Sequence, residues 1–199
     1  DLNPLSPSRL DKTSFNCSNI GENIVSLTVT DENGNSASAT AVVTVKDNLA
    51  PTVITQNITV ELDTDGTATI TSADIDNGST DNCAIESYLL DITSFDCTNV
   101  GENTVSLTIT DIHGNSASAN AIVTVIDTIM PIASCAAEFT LQLDETGNAT
   151  ISADEIDNGS SDNCAIATIE IDKTSFDCDD IGENIITLTV TDSSGNIST

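Results

Sequence analysis

The chain repeats itself at a nearly constant interval of 80 or 81 positions. The phrase SFNCSNIGEN at 14–23 returns as SFDCTNVGEN at 94–103 and again as SFDCDDIGEN at 175–184. A second phrase, DIDNGSTDNCAI at 74–85, returns as EIDNGSSDNCAI at 155–166. Self-similarity at a fixed period indicates that one structural unit is copied along the chain. This period is too long for one coil of a solenoid and suits successive small domains, each with its own core.

The register of the repeats divides the chain into three segments. Residues 1–48 match the second half of a unit, residues 49–129 form a complete unit, and residues 130–199 form a unit that stops before its expected last strand. The first ten residues, DLNPLSPSRL, differ from the matching DNCAIESYLL. We interpret residues 1–10 as foreign to the repeat or wrongly assigned, and the whole chain as a fragment of a longer array.

Short segments rich in Val, Ile and Thr, separated by Gly, Asn and Asp, are typical of an all-β fold. In the complete unit the predicted strands lie at 57–62, 67–72, 84–90, 103–110 and 118–126. A single helical turn is predicted within 71–79. Units of this size with six or seven short strands favour an immunoglobulin-like sandwich, so we predict tandem immunoglobulin-like β-sandwich repeats.

The charge of the chain excludes two classes of partner. It has 32 acidic residues against four basic ones and a formal net charge of −28. Such a surface repels phosphate backbones and anionic lipid headgroups, so nucleic-acid binding and a membrane-surface role are not expected. No apolar run is long enough to span a bilayer, and we predict no membrane insertion by this segment.

The six cysteines recur with the repeat. Cys83 and Cys97 are 14 positions apart, and so are Cys164 and Cys178. We predict that each pair forms a disulfide within its unit, which places the chain outside the cytoplasm, in a secreted or cell-surface location. Zinc is the alternative, but one histidine and no CxxC spacing argue against it. Cys17 and Cys135 are then predicted to be unpaired within this fragment.

Several phrases, DIDNGSTDNC, SFDC, VGENTVSLTITD, GNSASA and VIDTIMP, identify a resemblance to a known module. They resemble the hyalin-repeat-like (HYR-like), four-cysteine repeats of large secreted Bacteroidota surface proteins, such as gliding-motility adhesins of the SprB type. The resemblance implies an extracellular adhesion context and a second disulfide in each four-cysteine unit. By this resemblance Cys135 would pair with a cysteine just past Thr199, whereas Thr55 and Ala119 replace both cysteines in the middle unit.

Aspartates cluster in the turns and between the units, and they raise the question of calcium. Ca²⁺ takes about six to eight oxygen ligands, which turns rich in Asp and Asn can supply. The alternative is that these residues only shape solvated turns, because Asp and Asn are also what turns require. The candidate ligands are Asp47, Asn48, Asp74, Asp76, Asp81, Asp127, Asp154, Asp157 and Asp162.

No catalytic constellation can be found in the sequence. Nucleophile motifs and phosphate-binding glycine loops are absent, and His113 has no counterpart in the other repeats. We therefore predict a non-catalytic stalk or spacer of a large surface adhesin or filament, with neighbouring repeats as its first partners. A module that binds surface glycans or other surface proteins is one alternative, and an accessory region of a secreted enzyme is another.

Overall fold

The computed structural model describes residues 8–199, and this part of the chain is all-β, as predicted. The strands are β1 (Arg9–Leu10), β2 (Gly21–Thr30), β3 (Ser36–Val45), β4 (Ile58–Glu61), β5 (Thr67–Thr69), β6 (Ile85–Leu90), β7 (Ser94–Asp96), β8 (Gly101–Asp111), β9 (Ser116–Ile126), β10 (Ala149–Thr150), β11 (Ile166–Ile171), β12 (Ser175–Phe176), β13 (Leu188–Asp192) and β14 (Ile197–Ser198). Two one-turn helices, α1 (Ser72–Ile75) and α2 (Ala153–Ile156), and three 3-10 turns at Cys17–Asn19, Cys97–Asn99 and Cys178–Asp180 complete it. None of the helices in this range could cross a membrane.

The elements predicted for the complete repeat are present at the predicted places. Strands β4, β5, β6, β8 and β9 coincide with the five predicted segments. The predicted helical turn is α1, which begins after Thr71. Asp74 accepts hydrogen bonds from the Thr71 main-chain nitrogen and hydroxyl, both at 2.7 Å, and so closes a capping box around this turn.

The strands form small, mostly antiparallel sheets. Strands β2 and β3 pair along their full length, from Gly21 opposite Val45 to Thr30 opposite Ser36. The largest sheet has the order β4-β9-β8-β6, in which β4 runs parallel to β9. Strands β5 and β7 pair in a separate two-stranded antiparallel sheet. Later in the chain, β11, β13 and β14 form one sheet and β10 and β12 another.

The chain groups into two compact units that do not follow the repeat boundaries. Of the described residues, unit 1 contains 8–54 together with Gly78–Leu89 and Thr108–Ala119. Unit 2 contains Thr55–Asn77, Leu90–Leu107 and Asn120–Thr199. The predicted segments 1–48, 49–129 and 130–199 therefore stay a prediction. The interpretation of residues 1–10 falls mostly on residues 1–7, which lie outside the described residues, while Arg9 and Leu10 form β1 and pair with β2.

The core of unit 2 follows the alternation of its strands. Alternate residues of a strand point to the same face, and on β8 and β9 these are the fully buried Val105, Leu107, Val123 and Val125. Phe95, the aromatic residue of the SFDC phrase, is also buried. A second buried group in this unit comprises Ile151, Ile156, Leu188 and Val190.

Candidate functional site

Each SF[DN]C phrase ends in a 3-10 turn that presents its cysteine. The residue before the cysteine caps the turn, and at the middle copy the Asp96 side chain accepts from the Thr98 main-chain nitrogen at 2.8 Å. The Asp96 main-chain nitrogen in turn donates to the Asn99 side chain at 2.9 Å. Asn16 and Asp177 cap the other two turns in the same way. The repeated phrase is therefore a capped turn that fixes the position of a cysteine.

The disulfides join successive repeats. Cys17 bonds to Cys83, and Cys97 bonds to Cys164, with Cα–Cα distances of 5.5 and 5.4 Å and sequence separations of 66 and 67. In each, the cysteine of an SF[DN]C turn pairs with the cysteine of the DNC loop in the following repeat. We call these two bonds the inter-repeat staples. Each staple lies within one compact unit, the first in unit 1 and the second in unit 2.

The predicted pairs Cys83–Cys97 and Cys164–Cys178 are wrong, and so is the prediction that Cys17 is unpaired. A disulfide needs its Cα atoms about 4.4–6.8 Å apart. Between Cys83 and Cys97, the strand β6 belongs to the four-stranded sheet, whereas β7 pairs with β5 in a different sheet. The segment therefore does not fold back as a hairpin that would bring its two ends together. Within the described range 8–199, the cysteines left free are Cys135 and Cys178, both of them exposed.

The hairpin tip at Gly66 lies against the second staple. Its φ angle is +72°, and the Cys97 Sγ lies 3.7 Å from its carbonyl oxygen. Asn163, the residue before Cys164, donates from Nδ2 to the Asp63 carbonyl at 3.3 Å. The free Cys178 has a similar neighbour, because its Sγ lies 3.9 Å from the carbonyl oxygen of Gly147.

Beside each staple, three aspartates from distant parts of the sequence come together. The first carboxylate triad is Asp47, Asp81 and Asp111, and the second is Asp127, Asp162 and Asp192. In each triad the carboxylate oxygens offered as ligands lie within 4.8 Å of one another. Each triad has one linker member from between the repeats, one loop member from the DNC loop and one turn member from the TD..GN turn. These are, in that order, Asp47, Asp81 and Asp111 in the first triad and Asp127, Asp162 and Asp192 in the second. The first triad lies in unit 1 and the second in unit 2.

Hydrogen bonds hold the turn aspartate of each triad in place. Asp111 Oδ1 accepts from the main-chain nitrogens of His113 and Asn115 at 2.8 and 2.9 Å, and its Oδ2 accepts from Asn115 Nδ2 at 2.7 Å. Burial raises the pKa of Asp111, but these hydrogen bonds, with Asn115 first, outweigh burial and hold the pKa below its usual value. Asp192 has the same three contacts, with Ser194 in place of His113.

The linker aspartates are fixed by amide side chains and by the chain that follows them. Asp47 Oδ1 accepts from Asn82 Nδ2 at 3.2 Å and from the Leu49 main-chain nitrogen at 3.1 Å. Asp127 Oδ1 accepts from Asn163 Nδ2 and the Ile129 nitrogen at the same distances. The asparagine of each DNC loop thus connects the linker to the staple.

Several oxygens in the triads are buried and have no hydrogen-bond partner among residues 8–199. They are Asp47 Oδ2, Asp81 Oδ1 and Asp162 Oδ1. The Asp47 side chain is only 3% exposed, and its Oδ2 lies 3.3 Å from His113 Nδ1, within ion-pair distance but without hydrogen-bond geometry. Buried carboxylate oxygens without donors are costly, so each triad leaves oxygen atoms that favour a positive ligand.

Four of the nine predicted calcium ligands belong to the triads. Asp47 and Asp127 are the linker members, and Asp81 and Asp162 are the loop members. The turn members Asp111 and Asp192 are not among these nine ligands, although the TD..GN turn with Asp111 and Asn115 is itself a recurring acidic grouping in the sequence. The signal that could have found them is their spacing of 81 positions, which matches that of the loop members.

The remaining candidates lie outside both triads. Asp74 closes the capping box of α1, and Asp157 accepts from the main-chain nitrogens of Ser160 and Gly159 at 3.1 and 3.3 Å. Asp154 lies in the first turn of α2, and Asp76 forms a β-bridge with Thr55. Within residues 8–199, neither these four nor Asn48 joins a carboxylate triad.

A further grouping, of Asp47, Cys83 and His113, also brings possible ligand atoms together. Cys83 is oxidised in the first staple, so it has no thiolate to offer a metal ion. This grouping is therefore not a metal-ligand set, and the zinc alternative gains no support from it.

Comparison with known proteins finds only weak likenesses to solved structures. No family model and no curated protein matches this chain. A solved structure of PcdhgB3 EC1-4 matches 98% of this chain and 63% of its own, at 16% identity and a TM-score of 0.42. Protocadherin Gamma B7 extracellular cadherin domains 1-4 match 100% of this chain and 66% of their own, at 13% identity and a TM-score of 0.40. The human Desmocollin-1 ectodomain has 10% identity and a TM-score of 0.30 over 94% of this chain and 44% of its own.

This chain spans less than two thirds of the length of each of these structures. With TM-scores below 0.5, these likenesses carry no argument about the fold or the function of this chain. The fold class is all-β and immunoglobulin-like, as predicted from the sequence.

Proposed function

We propose that this chain is a non-catalytic stalk segment of an extracellular, adhesion-type surface protein. The observation that carries the proposal is the pair of inter-repeat staples, Cys17–Cys83 and Cys97–Cys164. A covalent bond from each repeat to the next serves a structure that must keep its repeats in a fixed order and spacing. An enzyme or an isolated binding module has no need of such a bond in every copy.

The staples also support the proposed location outside the cytoplasm. Structural disulfides persist in oxidising compartments, such as the cell surface and the extracellular space. In the chain-entropy picture, closing a loop of 67 residues stabilises the folded chain by about 4 kcal/mol. For a small domain, this is a large share of the free energy of unfolding.

The adhesion context is supported by the repeated phrases, which resemble HYR-like modules of Bacteroidota surface proteins. The strongly acidic composition agrees with a segment that stays soluble and apart from membranes and nucleic acids. Partners are then the neighbouring repeats and, at a distant part of the protein, surface glycans or other surface proteins. Gliding motility, taken from the resemblance, is the narrower form of this proposal.

Ca²⁺ is the proposed ligand of the two carboxylate triads. The fit rests on three buried oxygens that have no hydrogen-bond partner in the described part of the chain, Asp47 Oδ2, Asp81 Oδ1 and Asp162 Oδ1. All six members are aspartates, and hard carboxylate oxygens suit Ca²⁺ better than they suit zinc. A bound cation would neutralise the negative charges of the three aspartates in a triad. It would also make the linker between two repeats more rigid, at a place where the staple already limits how far the repeats can separate.

The stalk proposal can be tested by small-angle scattering on the complete 199-residue chain. Replacing the second staple with Cys97→Ser and Cys164→Ser should make the chain more flexible, with a broader distribution of interatomic distances. Cys135→Ser is the matched control, because it removes a free thiol and leaves both staples intact. A glycan array or partner screen that gives a specific, saturable hit on the chain would instead favour the binding-module alternative.

The calcium proposal can be tested by titration calorimetry and thermal unfolding. The wild-type chain should bind two Ca²⁺ ions, Asp81→Asn should reduce the number to one, and Asp81→Asn with Asp162→Asn should abolish binding. Asparagine keeps an acceptor for the Cys83 main-chain nitrogen, which now donates to Asp81 Oδ2 at 2.8 Å. Asp154→Asn, an equal charge change outside the triads, is the control. Unchanged stoichiometry in the double variant would refute these sites.

A further inference from the structure

The two cysteines of the complete repeat, residues 49–129, bond to different neighbouring repeats. Cys83 bonds back to Cys17 of the preceding repeat, and Cys97 bonds forward to Cys164 of the following one. The main chain from Cys83 to Cys97 is short and contains only the strands β6 and β7. The two staples and this short segment therefore form one continuous covalent path through the repeat.

From this connectivity we propose that the two staples and the segment from Cys83 to Cys97 form a covalent ladder. The ladder carries tension along the chain, so that the β-sandwiches do not bear it. This inference rests on the stalk function proposed above. Without staples, a pull on Cys17 and Cys164 would draw out all of the chain between them, to a length of about 500 Å. With both staples, the path contains only the segment from Cys83 to Cys97 and two disulfides, so its limit is about 60 Å.

The two loops that the ladder bypasses contain both one-turn helices and most of the residues that lie in strands. The loop closed by the first staple, residues 17–83, contains β2, β3, β4, β5 and α1. The loop closed by the second, residues 97–164, contains β8, β9, β10 and α2. Force applied to the ladder cannot lengthen these loops while the disulfides persist. Their strands, including the buried valines of β8 and β9, are then shielded from forced extension.

The segment that remains under load is anchored at both ends of β6. At one end the Ala84 carbonyl accepts from the Ile112 main-chain nitrogen at 3.1 Å. At the other end, Asp91 accepts on its Oδ1 from the Ser106 nitrogen at 2.8 Å and donates its own nitrogen to the Ser106 carbonyl at 3.3 Å. Strand β6 lies at the edge of its sheet, so it can be pulled away without drawing out the central strands β8 and β9.

The ladder predicts how much chain a single-molecule pulling experiment can release. With the complete oxidised chain held at its two ends, complete unfolding should give a contour length of about 240 Å, because the two loops stay closed. Added reductant should raise the length to about 700 Å. The variant Cys97→Ser with Cys164→Ser should release about 230 Å more than wild type without reductant, because it opens one loop. Cys135→Ser with Cys178→Ser should leave the oxidised length unchanged.

Peptide mapping under non-reducing conditions identifies the bonds present in each variant, and contour length follows from those bonds alone. An oxidised length near that of the reduced chain would overturn the ladder. An oxidised length only about 90 Å shorter than the reduced one would also overturn the ladder, because that is the length expected for cysteines paired within each repeat, such as Cys83 with Cys97. The stalk proposal fails separately, through the scattering and ligand-screening experiments, even where the contour length is as expected.

Discussion

At the scale of single residues, Gly66 is the position least open to change beside the second staple. Its φ of +72° lies in the left-handed region that favours glycine. A Cβ at this position would also lie 2.7 Å from both the Asn163 carbonyl oxygen and the Cys97 Sγ. The first of these atoms belongs to the main chain and cannot move aside as a flexible side chain can. Close approach of the hairpin to the staple thus requires glycine.

Gly66→Ala should therefore lower the stability of the chain and the yield of the Cys97–Cys164 bond. The left-handed conformation alone costs about 1–2 kcal/mol, and displacement of the Asn163 main chain adds to it. Gly147→Ala is the matched control, because it has φ of +79° in the corresponding hairpin but meets only the Cys178 Sγ, at 3.0 Å. Denaturant unfolding and a count of free thiols provide the measurements. Equal losses for the two variants would show that the contact with the staple has no effect.

At the scale of elements, turns that begin with aspartate recur throughout the chain. In the TD..GN turn Asp31 accepts from the main-chain nitrogens of Asn33 and Asn35 at 2.9 and 2.8 Å. In the hairpin at Asp144, its Oδ1 accepts from the nitrogens of Thr146 and Asn148 at 2.8 and 3.0 Å. These hydrogen bonds favour the ionised carboxylate. They hold the pKa of Asp31 low mainly through Asn35, and that of Asp144 mainly through Thr146.

The lowered pKa values predict loss of stability in acid. A carboxyl group with a lower pKa in the folded state stabilises the fold above its unfolded value, near 3.8, and that contribution disappears as the pH falls through the folded value. We expect the free energy of unfolding to decrease below about pH 4 when it is measured in high salt, where charge repulsion is screened. Asp31→Asn with Asp144→Asn should reduce this decrease. A free energy that stays constant between neutral pH and strong acid would contradict the role of these turns.

The strands and turns could be predicted from the sequence because their signals are local. The segment 84–90 has the composition and length of a strand, and β6 (Ile85–Leu90) is there. Likewise the predicted segment 118–126 lies within β9 (Ser116–Ile126). The turn-forming properties of Asp and Gly also act within a few residues. Strand-forming segments bounded by such turns are therefore sufficient to predict where the strands lie.

The disulfides could not be predicted because periodicity is compatible with two pairings. A DNC cysteine lies 14 positions before one SF[DN]C cysteine and 66 or 67 positions after another. Both pairings repeat equally well along the chain, and only the assignment of β6 and β7 to different sheets decides between them. The triads raise the same difficulty, because Asp47 meets Asp81 and Asp111 from the next repeat.

At the scale of the whole molecule, a net charge of −28 has little internal compensation. With histidine counted as neutral, as in this net charge, the ion pair found among residues 8–199 is Lys173 with Asp180. Like charges that are not paired repel one another and oppose the compact state. General screening by salt and specific binding of Ca²⁺ should therefore stabilise the chain through separate effects.

These two effects predict different responses to salt and to calcium. Because the Debye length falls from about 30 Å at 0.01 M salt to about 3 Å at 1 M, sodium chloride should raise the melting temperature of wild type and of Asp81→Asn with Asp162→Asn alike. Calcium chloride at equal ionic strength should raise that of wild type further, because binding to the folded state alone stabilises it in proportion to RT ln(1 + [L]/Kd). The double variant should lose this additional increase in melting temperature. In the wild-type chain, magnesium chloride should raise the melting temperature less than calcium chloride does, since Mg²⁺ loses its bound water reluctantly. A calcium increase that persists in the double variant would mean that the cation acts on the net charge of the surface and not at the triads.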